Sequence, residues 1–144
     1  KLQNKSIMIG SGPDEDKIKK FIIDNQMSKL IDIVPFQESI SDYLRSCKVV
    51  ILTSSYEGMP NILIEAIENN CNIISYNCKS GPSELSEMSD GRFFKLIDAN
   101  NVEQCVKNIP FLLNHVPSQK EMRQNILYNF SEKNFLDKFE IIVK

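Results

Sequence analysis

Residues 48–66 read KVVILTSSYEGMPNILIEA, and this stretch decides the fold. Its first six residues form an apolar run of strand length, which predicts a buried strand. Pro60 suits the first position of a helix, where its missing N–H costs nothing. The stretch therefore predicts a strand, a loop and a helix in succession, a unit typical of α/β proteins.

Apolar runs of strand length alternate with amphipathic segments of helix length along most of the chain. The predicted strands are Ser6 to Ile9, Ile31 to Val34, Val49 to Thr53, Ile73 to Tyr76 and Arg92 to Lys95. The predicted helices are Asp14 to Gln26, Ser39 to Ser46, Pro60 to Asn69, Pro82 to Glu87, Val102 to Leu113, Gln119 to Tyr128 and Ser131 to Val143. This series indicates an α/β fold with a Rossmann-like, doubly wound parallel sheet followed by C-terminal helices, and we expect the strand order 2-1-3-4-5.

The loop and helix start after the third strand carry the features of a binding site. Free backbone N–H groups around Asn61 and Ile62, together with the positive end of the helix dipole, suit a phosphate group. Gly58 lets a ligand approach the backbone. Glu57 on the loop and Glu65 in the helix offer carboxylates that accept hydrogen bonds from sugar hydroxyls. Taken alone, however, Asn61 and Glu65 also fit an ordinary solvated helix face.

Composition limits the classes of function. At 144 residues with 42% hydrophobic residues, the chain suits one domain with a sizeable core. A formal net charge of -2 and dispersed lysines argue against a nucleic-acid partner. No apolar run reaches the roughly 20 residues of a membrane span. Four cysteines without Cys-x-x-Cys spacing and a single histidine disfavour a metal site and predict buried free thiols. We therefore expect a cytoplasmic protein that holds no metal.

The sequence resembles a known family in several places at once. Glu57-Gly58, Pro60-Asn61 and the apolar run into Glu65 resemble the donor-site signature of the group 1 (family 4 type) retaining glycosyltransferases, which have the GT-B fold. The segment from Ser6 to Pro13 resembles the family's strand and glycine-rich turn, and the segment from Cys78 to Leu85 resembles its Gly-x-x-Glu turn. The chain departs from the family at Pro35, where glycine is usual, and at the Asn69 to Asn72 turn.

The resemblance implies a role for each matched residue. It implies that a nucleotide-diphosphate sugar contacts Gly10, Ser11, Gly12, Phe36, Gly58, Met59, Pro60, Asn61, Ile62 and Glu65. In this reading Glu65 binds the ribose hydroxyls, and Glu57, the catalytic residue, approaches the hydroxyls of the donor sugar. Neither glutamate is a nucleophile. The family transfers the sugar with retention of anomeric configuration and without a metal or other cofactor.

The resemblance also implies an organisation that extends beyond residues 1–144. The family's donor domain has one further strand and helix, with an Arg and a Lys that clamp the diphosphate, before the segment that Lys1 begins. Its acceptor-binding N-terminal domain receives a growing surface glycan or a lipid-linked saccharide. We therefore expect a bacterial enzyme of polysaccharide biosynthesis that works in the cytoplasm or at the membrane surface. The chain alone is expected to be inactive.

Other interpretations compete with the transferase. A flavodoxin-like or receiver-like binding module has the same pattern of elements, but a receiver needs an acidic cluster after its first strand and an Asp at the end of its third. Here the turn after the first strand begins at Gly10 and not with an acidic cluster, and the third strand ends at Thr53 and not at an Asp. A dinucleotide fingerprint would place its third glycine at Glu15, so NAD is disfavoured. A degenerate, non-catalytic subunit of a transferase complex stays open.

Overall fold

The computed structural model describes residues 5–89, 91–116 and 126. The chain divides into two compact units, Lys1–Ile40 and Ser41–Lys144. The first unit contains strand β1 (Ser6–Ile9), helix α1 (Glu15–Asp24) and strand β2 (Ile31–Val34). The two strands pair in parallel, with Ser6 opposite Ile31 and Ile9 opposite Val34. This unit is therefore a single βαβ crossover.

The second unit continues the alternation of helices and strands. Its elements are α2 (Ser41–Ser46), β3 (Val49–Leu52), α3 (Asn61–Glu68), β4 (Asn72–Tyr76), α4 (Pro82–Glu87), β5 (Phe94–Ile97) and α5 (Val102–Asn114). The three strands form a parallel sheet in the order β3-β4-β5. Residues 72–75 of the central strand are all buried, because a central parallel strand is covered on both faces.

The core of the second unit lies between this sheet and its helices. Leu63, Ala66 and Ile67 of α3 are completely buried, and their spacing places them on one helix face. Ile74, Ile97 and Leu112 form a second buried cluster among β4, β5 and α5. The spacing of the apolar residues in α3 predicts a core-facing stripe of Ile62, Leu63, Ala66 and Ile67. The last three are buried as predicted, whereas Ile62 is only partly buried.

The asparagine-rich turn after α3 replaces a glycine turn with a defined helix ending. Asn70 has φ 59°, a left-handed conformation that asparagine tolerates better than most residues. The N–H of Asn70 donates to the Ile67 carbonyl at 3.1 Å, and the N–H of Cys71 donates to the Ala66 carbonyl at 2.9 Å. These two bonds are a Schellman motif, which ends the helix as glycine commonly does. The departure from the family pattern therefore leaves the helix ending intact.

Asn72 links the three-stranded sheet to α5. Its side-chain amide donates to the Leu112 carbonyl at 2.8 Å and to the His115 carbonyl at 2.9 Å. Carbonyls at a helix C-terminus have no partner within the helix. The Asn72 side chain therefore supplies hydrogen-bond donors to carbonyls at the end of α5, which a small residue in its place would not do.

The positions of the elements agree closely with the sequence. The predicted bounds of β1, β2 and α4 are exact, and those of α1, α2, β3, α3, β4 and α5 are within two residues. The strand predicted at Arg92 to Lys95 is instead Phe94–Ile97, because its pairing with β4 begins with Phe94 opposite Ile73. The helices predicted from Gln119 and from Ser131 lie outside the described residues, apart from Ile126.

The single sheet expected in the order 2-1-3-4-5 is wrong. In the part of the chain that the structure describes, β1 and β2 form a two-stranded sheet, and β3, β4 and β5 form a separate three-stranded one. That expected order paired β1 directly with β3. Chain order does not determine which strands become neighbours, because a crossover connection can pass over a position in a sheet. The α/β class with parallel strands is confirmed.

The four cysteines are free thiols, as predicted, but only Cys71 and Cys78 are buried, whereas Cys47 and Cys105 are partly buried. Cys47 and Cys71 interact. Cys71 is completely buried, and its thiol lies 3.3 Å from the Leu44 carbonyl and 3.5 Å from the Cys47 carbonyl. A hydrogen bond from the Cys71 thiol stabilises the Cys47 thiolate and lowers the pKa of Cys47 to about 7. The same interaction raises the pKa of Cys71.

We expect Cys47 to react with iodoacetamide at lower pH than the other cysteines, because only the thiolate is nucleophilic. Its alkylation rate should rise as the pH passes through about 7. Burial raises the pKa of Cys105, so that residue serves as the internal comparison. Mass spectrometry of adducts across the pH range measures both rates. Cys71→Ala should move the Cys47 profile upward in pH, and identical profiles for Cys47 and Cys105 would contradict the interaction.

Candidate functional site

The start of α3 presents backbone N–H groups that the helix itself does not use. Pro60 has φ -75° and ψ 110°, an extended conformation, and its carbonyl accepts from the Leu63 N–H at 3.0 Å. Pro60 is therefore the residue before the helix, and the prediction that it is the first helical residue is wrong by one position. Asn61 and Ile62 occupy the first two helical positions, whose N–H groups have no acceptor within a helix.

Glu57 and Glu65 precede and follow this helix start along the chain. Both side chains are half-buried, whereas Asn61 and Glu68 are exposed. Within residues 5–89, 91–116 and 126, neither carboxylate forms a hydrogen bond or an ion pair. A half-buried carboxylate without a protein partner retains its capacity to accept hydrogen bonds. The helix start thus combines two free acceptors with a favourable place for an anion.

The backbone around Gly58 is open to a ligand. A β-carbon added at Gly58 would meet no atom within 4 Å. Gly58 itself is exposed, and the Met59 side chain is 37% exposed. Among the described residues of the second unit, nothing therefore blocks the predicted approach of a ligand to the Gly58 backbone.

The loop between β4 and α4 contacts the loop that carries Glu57. The Ser80 hydroxyl donates to the Glu57 carbonyl at 2.7 Å, and the Cys78 thiol donates to the Ser54 carbonyl at 3.1 Å. Gly81 is buried directly against Gly58. The sequence places Gly81 in a turn, because the segment from Cys78 to Leu85 resembles the family's Gly-x-x-Glu turn. It gave no signal for Ser80, because an exposed serine on a loop has no periodic pattern.

The glycine-rich turn after β1 belongs to the first unit. Gly10 has φ 145°, a conformation that L side chains rarely adopt, and its N–H donates to the Val34 carbonyl at 3.0 Å. The Ser11 hydroxyl accepts from the Phe36 N–H at 3.2 Å. A cavity of about 320 Å³ lies beside the turn, and Gly10, Ser11 and Gly12 are among its lining residues. Phe36 is 71% exposed.

The predicted site residues therefore fall into two groups. One group, which includes Gly10, Ser11 and Phe36, lies in the first unit, where the Ser11 hydroxyl accepts from the Phe36 N–H. The other, which includes Glu57 and Glu65, lies in the second. Donor binding by either group stays a prediction.

Among residues 5–89, 91–116 and 126, no group of three or more His, Cys, Asp or Glu side chains is placed to hold a metal ion. No helix in the same part of the chain is long and apolar enough to cross a membrane.

Comparison with known proteins assigns the chain to a family. The model for "Glycosyl transferases group 1" matches residues 1–127. This chain belongs to the group 1 glycosyltransferase family. Its α/β fold with parallel sheets and flanking helices agrees with that of GT-B glycosyltransferases, so the resemblance seen in the sequence is confirmed. The family membership also excludes the flavodoxin-like and receiver-like interpretations of the sequence.

Two proteins similar to this chain come from bacteria. The chain is 36% identical over 85 residues to "Amylovoran biosynthesis glycosyltransferase AmsD" of Erwinia amylovora, covering 56% of this chain and 23% of that protein. It is 28% identical over 134 residues to "Poly(ribitol-phosphate) alpha-N-acetylglucosaminyltransferase" of Staphylococcus aureus, covering 90% of this chain and 27% of that protein.

A solved structure supports the same assignment. The fold matches a crystal structure of a mutant of S. aureus TarM in complex with fondaparinux, alpha-GlcNAc-glycerol and UDP, with a TM-score of 0.80 and 27% identity. The match covers 94% of this glycosyltransferase and 28% of that chain. The chain thus spans less than a third of the length of each of these three proteins.

Proposed function

We propose that this chain binds the nucleotide-diphosphate sugar of a retaining glycosyltransferase, and that sugar transfer needs no metal ion. The observation that carries the proposal is the pair of unpartnered carboxylates, Glu57 and Glu65, before and after the free amides that open α3. A nucleotide-diphosphate sugar carries hydroxyls on its ribose and on its donor sugar, with the diphosphate between them. Along the chain, the amides of Asn61 and Ile62 likewise lie between the carboxylates of Glu57 and Glu65.

Each part of the site then has a distinct task. Glu65 accepts hydrogen bonds from the ribose hydroxyls, and Glu57 accepts from hydroxyls of the donor sugar. The N–H groups of Asn61 and Ile62 hold the diphosphate. When the bond to the sugar breaks, negative charge grows on the diphosphate, and these amides with the helix dipole stabilise that charge. This electrostatic stabilisation is the contribution that a metal ion makes in other transferases.

The similar proteins support the choice of donor and acceptor. The TarM mutant complex contains UDP, and the names of two relatives refer to amylovoran biosynthesis and to poly(ribitol-phosphate). We propose UDP-sugars as the first donors to test, with a growing glycan or a lipid-linked saccharide as acceptor. Because the chain spans less than a third of these relatives, we propose that a further domain of the complete enzyme binds the acceptor.

Titration of the chain with UDP, GDP and ADP tests the proposal. NMR chemical shifts should change at residues 57–65 with the nucleotide that the enzyme uses. Binding is expected to be weak, because the resemblance implies a basic clamp that these residues do not supply. Shift changes confined to residues far from Glu57, Asn61 and Glu65 would contradict the site.

Replacing Glu65 by Ala should weaken binding of UDP by about 1 to 3 kcal/mol, the usual loss when a hydrogen bond to a charged group is removed. Isothermal titration calorimetry measures the affinity, and thermal unfolding checks the fold. Glu68→Ala is the matched control, because it removes the same charge from an exposed position on the same helix. Equal losses for both variants would show a general charge effect. Unfolding of the Glu65 variant with normal affinity in its folded fraction would show a structural role.

A further inference from the structure

The loop that carries Glu57 has almost no hydrogen bonding of its own. Residues 55–59 form no helix or strand, and within the described part of the chain their backbone groups make no hydrogen bond to other backbone groups. Over the same part of the chain, the bond from the Ser80 hydroxyl to the Glu57 carbonyl, 2.7 Å long, is the one hydrogen bond that reaches this segment. The position of the Glu57 backbone therefore depends on a side chain 23 residues away.

Two other contacts hold the ends of the loop and leave its middle to the Ser80 bond. The Cys78 thiol holds the Ser54 carbonyl at the start of the loop, and Gly81 packs against Gly58 near its end. Between these two contacts, only the Ser80 hydroxyl fixes the carbonyl of the residue whose carboxylate is free. A rotation of the peptide after Glu57 would break this bond without disturbing the sheet or α3.

We propose that Ser80 is a positioning residue, whose hydroxyl holds the Glu57 backbone so that the Glu57 carboxylate meets the donor sugar in one orientation. This inference rests on the proposed function, because it assigns Glu57 to the sugar and not to the nucleotide. Ser80 does not itself touch the donor. It acts by limiting the conformations of Glu57, which lowers the entropy that would otherwise be lost when the sugar binds.

The proposal separates the sugar from the nucleotide. Loss of the Ser80 hydroxyl should leave the affinity for UDP nearly unchanged, since the ribose and diphosphate are assigned to Glu65 and the amides of α3. It should reduce the additional contribution of the sugar. A serine that merely stabilises the fold would change UDP and UDP-sugar binding together, in step with thermal stability.

The experiment compares Ser80→Ala, Ser80→Thr and Ser89→Ala in the chain, with UDP, UDP-N-acetylglucosamine, UDP-glucose and UDP-galactose as probes. Ser80→Thr keeps a hydroxyl at an exposed position, so it should rescue the effect. Ser89→Ala is the matched control, because the Ser89 hydroxyl also donates to a backbone carbonyl, that of Ser86 at 2.7 Å, outside the Glu57 loop. NMR relaxation order parameters of residues 55–59 give a second readout that needs no ligand.

For Ser80→Ala we expect the ratio of UDP-sugar affinity to UDP affinity to fall roughly 2- to 12-fold, the size of one neutral hydrogen bond. The NMR order parameters of residues 55–59 should fall toward flexible values, and neither change should occur in the other two variants. An unchanged ratio with normal UDP binding, or unchanged order parameters, overturns the role of Ser80 alone. Failure of the unsubstituted chain to bind any of the four probes overturns the proposed function, and with it the task given to Glu57.

Discussion

Supplied with a nucleotide-sugar donor and the acceptor that the complete enzyme uses, the 144-residue chain alone is expected to form no detectable product. Orientation of two reactants against each other contributes about 7 to 11 kcal/mol to lowering a reaction barrier. In the proposed mechanism that contribution needs an acceptor-binding domain, and the chain spans less than a third of its relatives' length. Product formation is followed by mass spectrometry in metal-free buffer, with the complete enzyme assayed in parallel.

The same preparation of the chain provides the control for this assay. Its titration with UDP shows that the protein is folded and that its donor site is occupied at the assay concentration. Absence of product in a UDP-binding preparation then reports on the need for the proposed acceptor-binding domain. Sustained turnover by the chain alone would contradict the two-domain mechanism, although it would leave the family membership unaffected.

Replacing Gly81 by Ala is expected to lower the free energy of unfolding by roughly 2 to 6 kcal/mol, since it adds a strained backbone to an overpacked contact. Gly81 has φ 65° and ψ -84°, a conformation that is strained for any residue with a β-carbon. A β-carbon there would overlap the Gly58 carbonyl oxygen and lie 2.7 Å from Cδ of Pro60. Urea denaturation measures the loss. UDP affinity should fall as well, because Gly58 and Pro60 border the start of α3.

Gly91→Ala separates the two causes of this effect. Gly91 also has a positive φ, 71°, but a β-carbon there would meet nothing within 4 Å. That variant should lose only the cost of the left-handed conformation, about 1 to 2 kcal/mol, and keep its UDP affinity. If the two alanine variants lost equal stability, the close approach of Gly81 to the Glu57 loop would contribute nothing to the free energy of unfolding.

The sequence predicts local structure well because local structure is determined by nearby residues. Short apolar runs bounded by polar turns gave exact bounds for β1 and β2. The spacing of Leu63, Ala66 and Ile67 gave the buried face of α3, which the structure confirms. Pro60 was displaced by one position because its φ is compatible both with the first helical residue and with the extended residue before it.

Contacts between segments distant in sequence were harder to predict. Chain order does not determine which strands become neighbours in a sheet. Among the described residues β1 pairs with β2 and not with β3, and the sequence did not reveal this. The bond between Ser80 and Glu57 joins two irregular loops, where no period marks which side chain faces which backbone group. Similarly, nothing in the spacing of Cys47 and Cys71 indicated that their thiols interact.

The support of the Glu57 loop by residues 78–81 changes how this site can be transplanted. A graft of residues 54–60 into a related enzyme would carry the carboxylate but leave its scaffold behind, and the new loop would rest on a foreign surface. Grafting residues 54–60 together with 78–81 moves both halves of the fitted pair. For loop exchange and for combinatorial libraries, the transferable module is therefore discontinuous in the gene, and the two segments are best varied together.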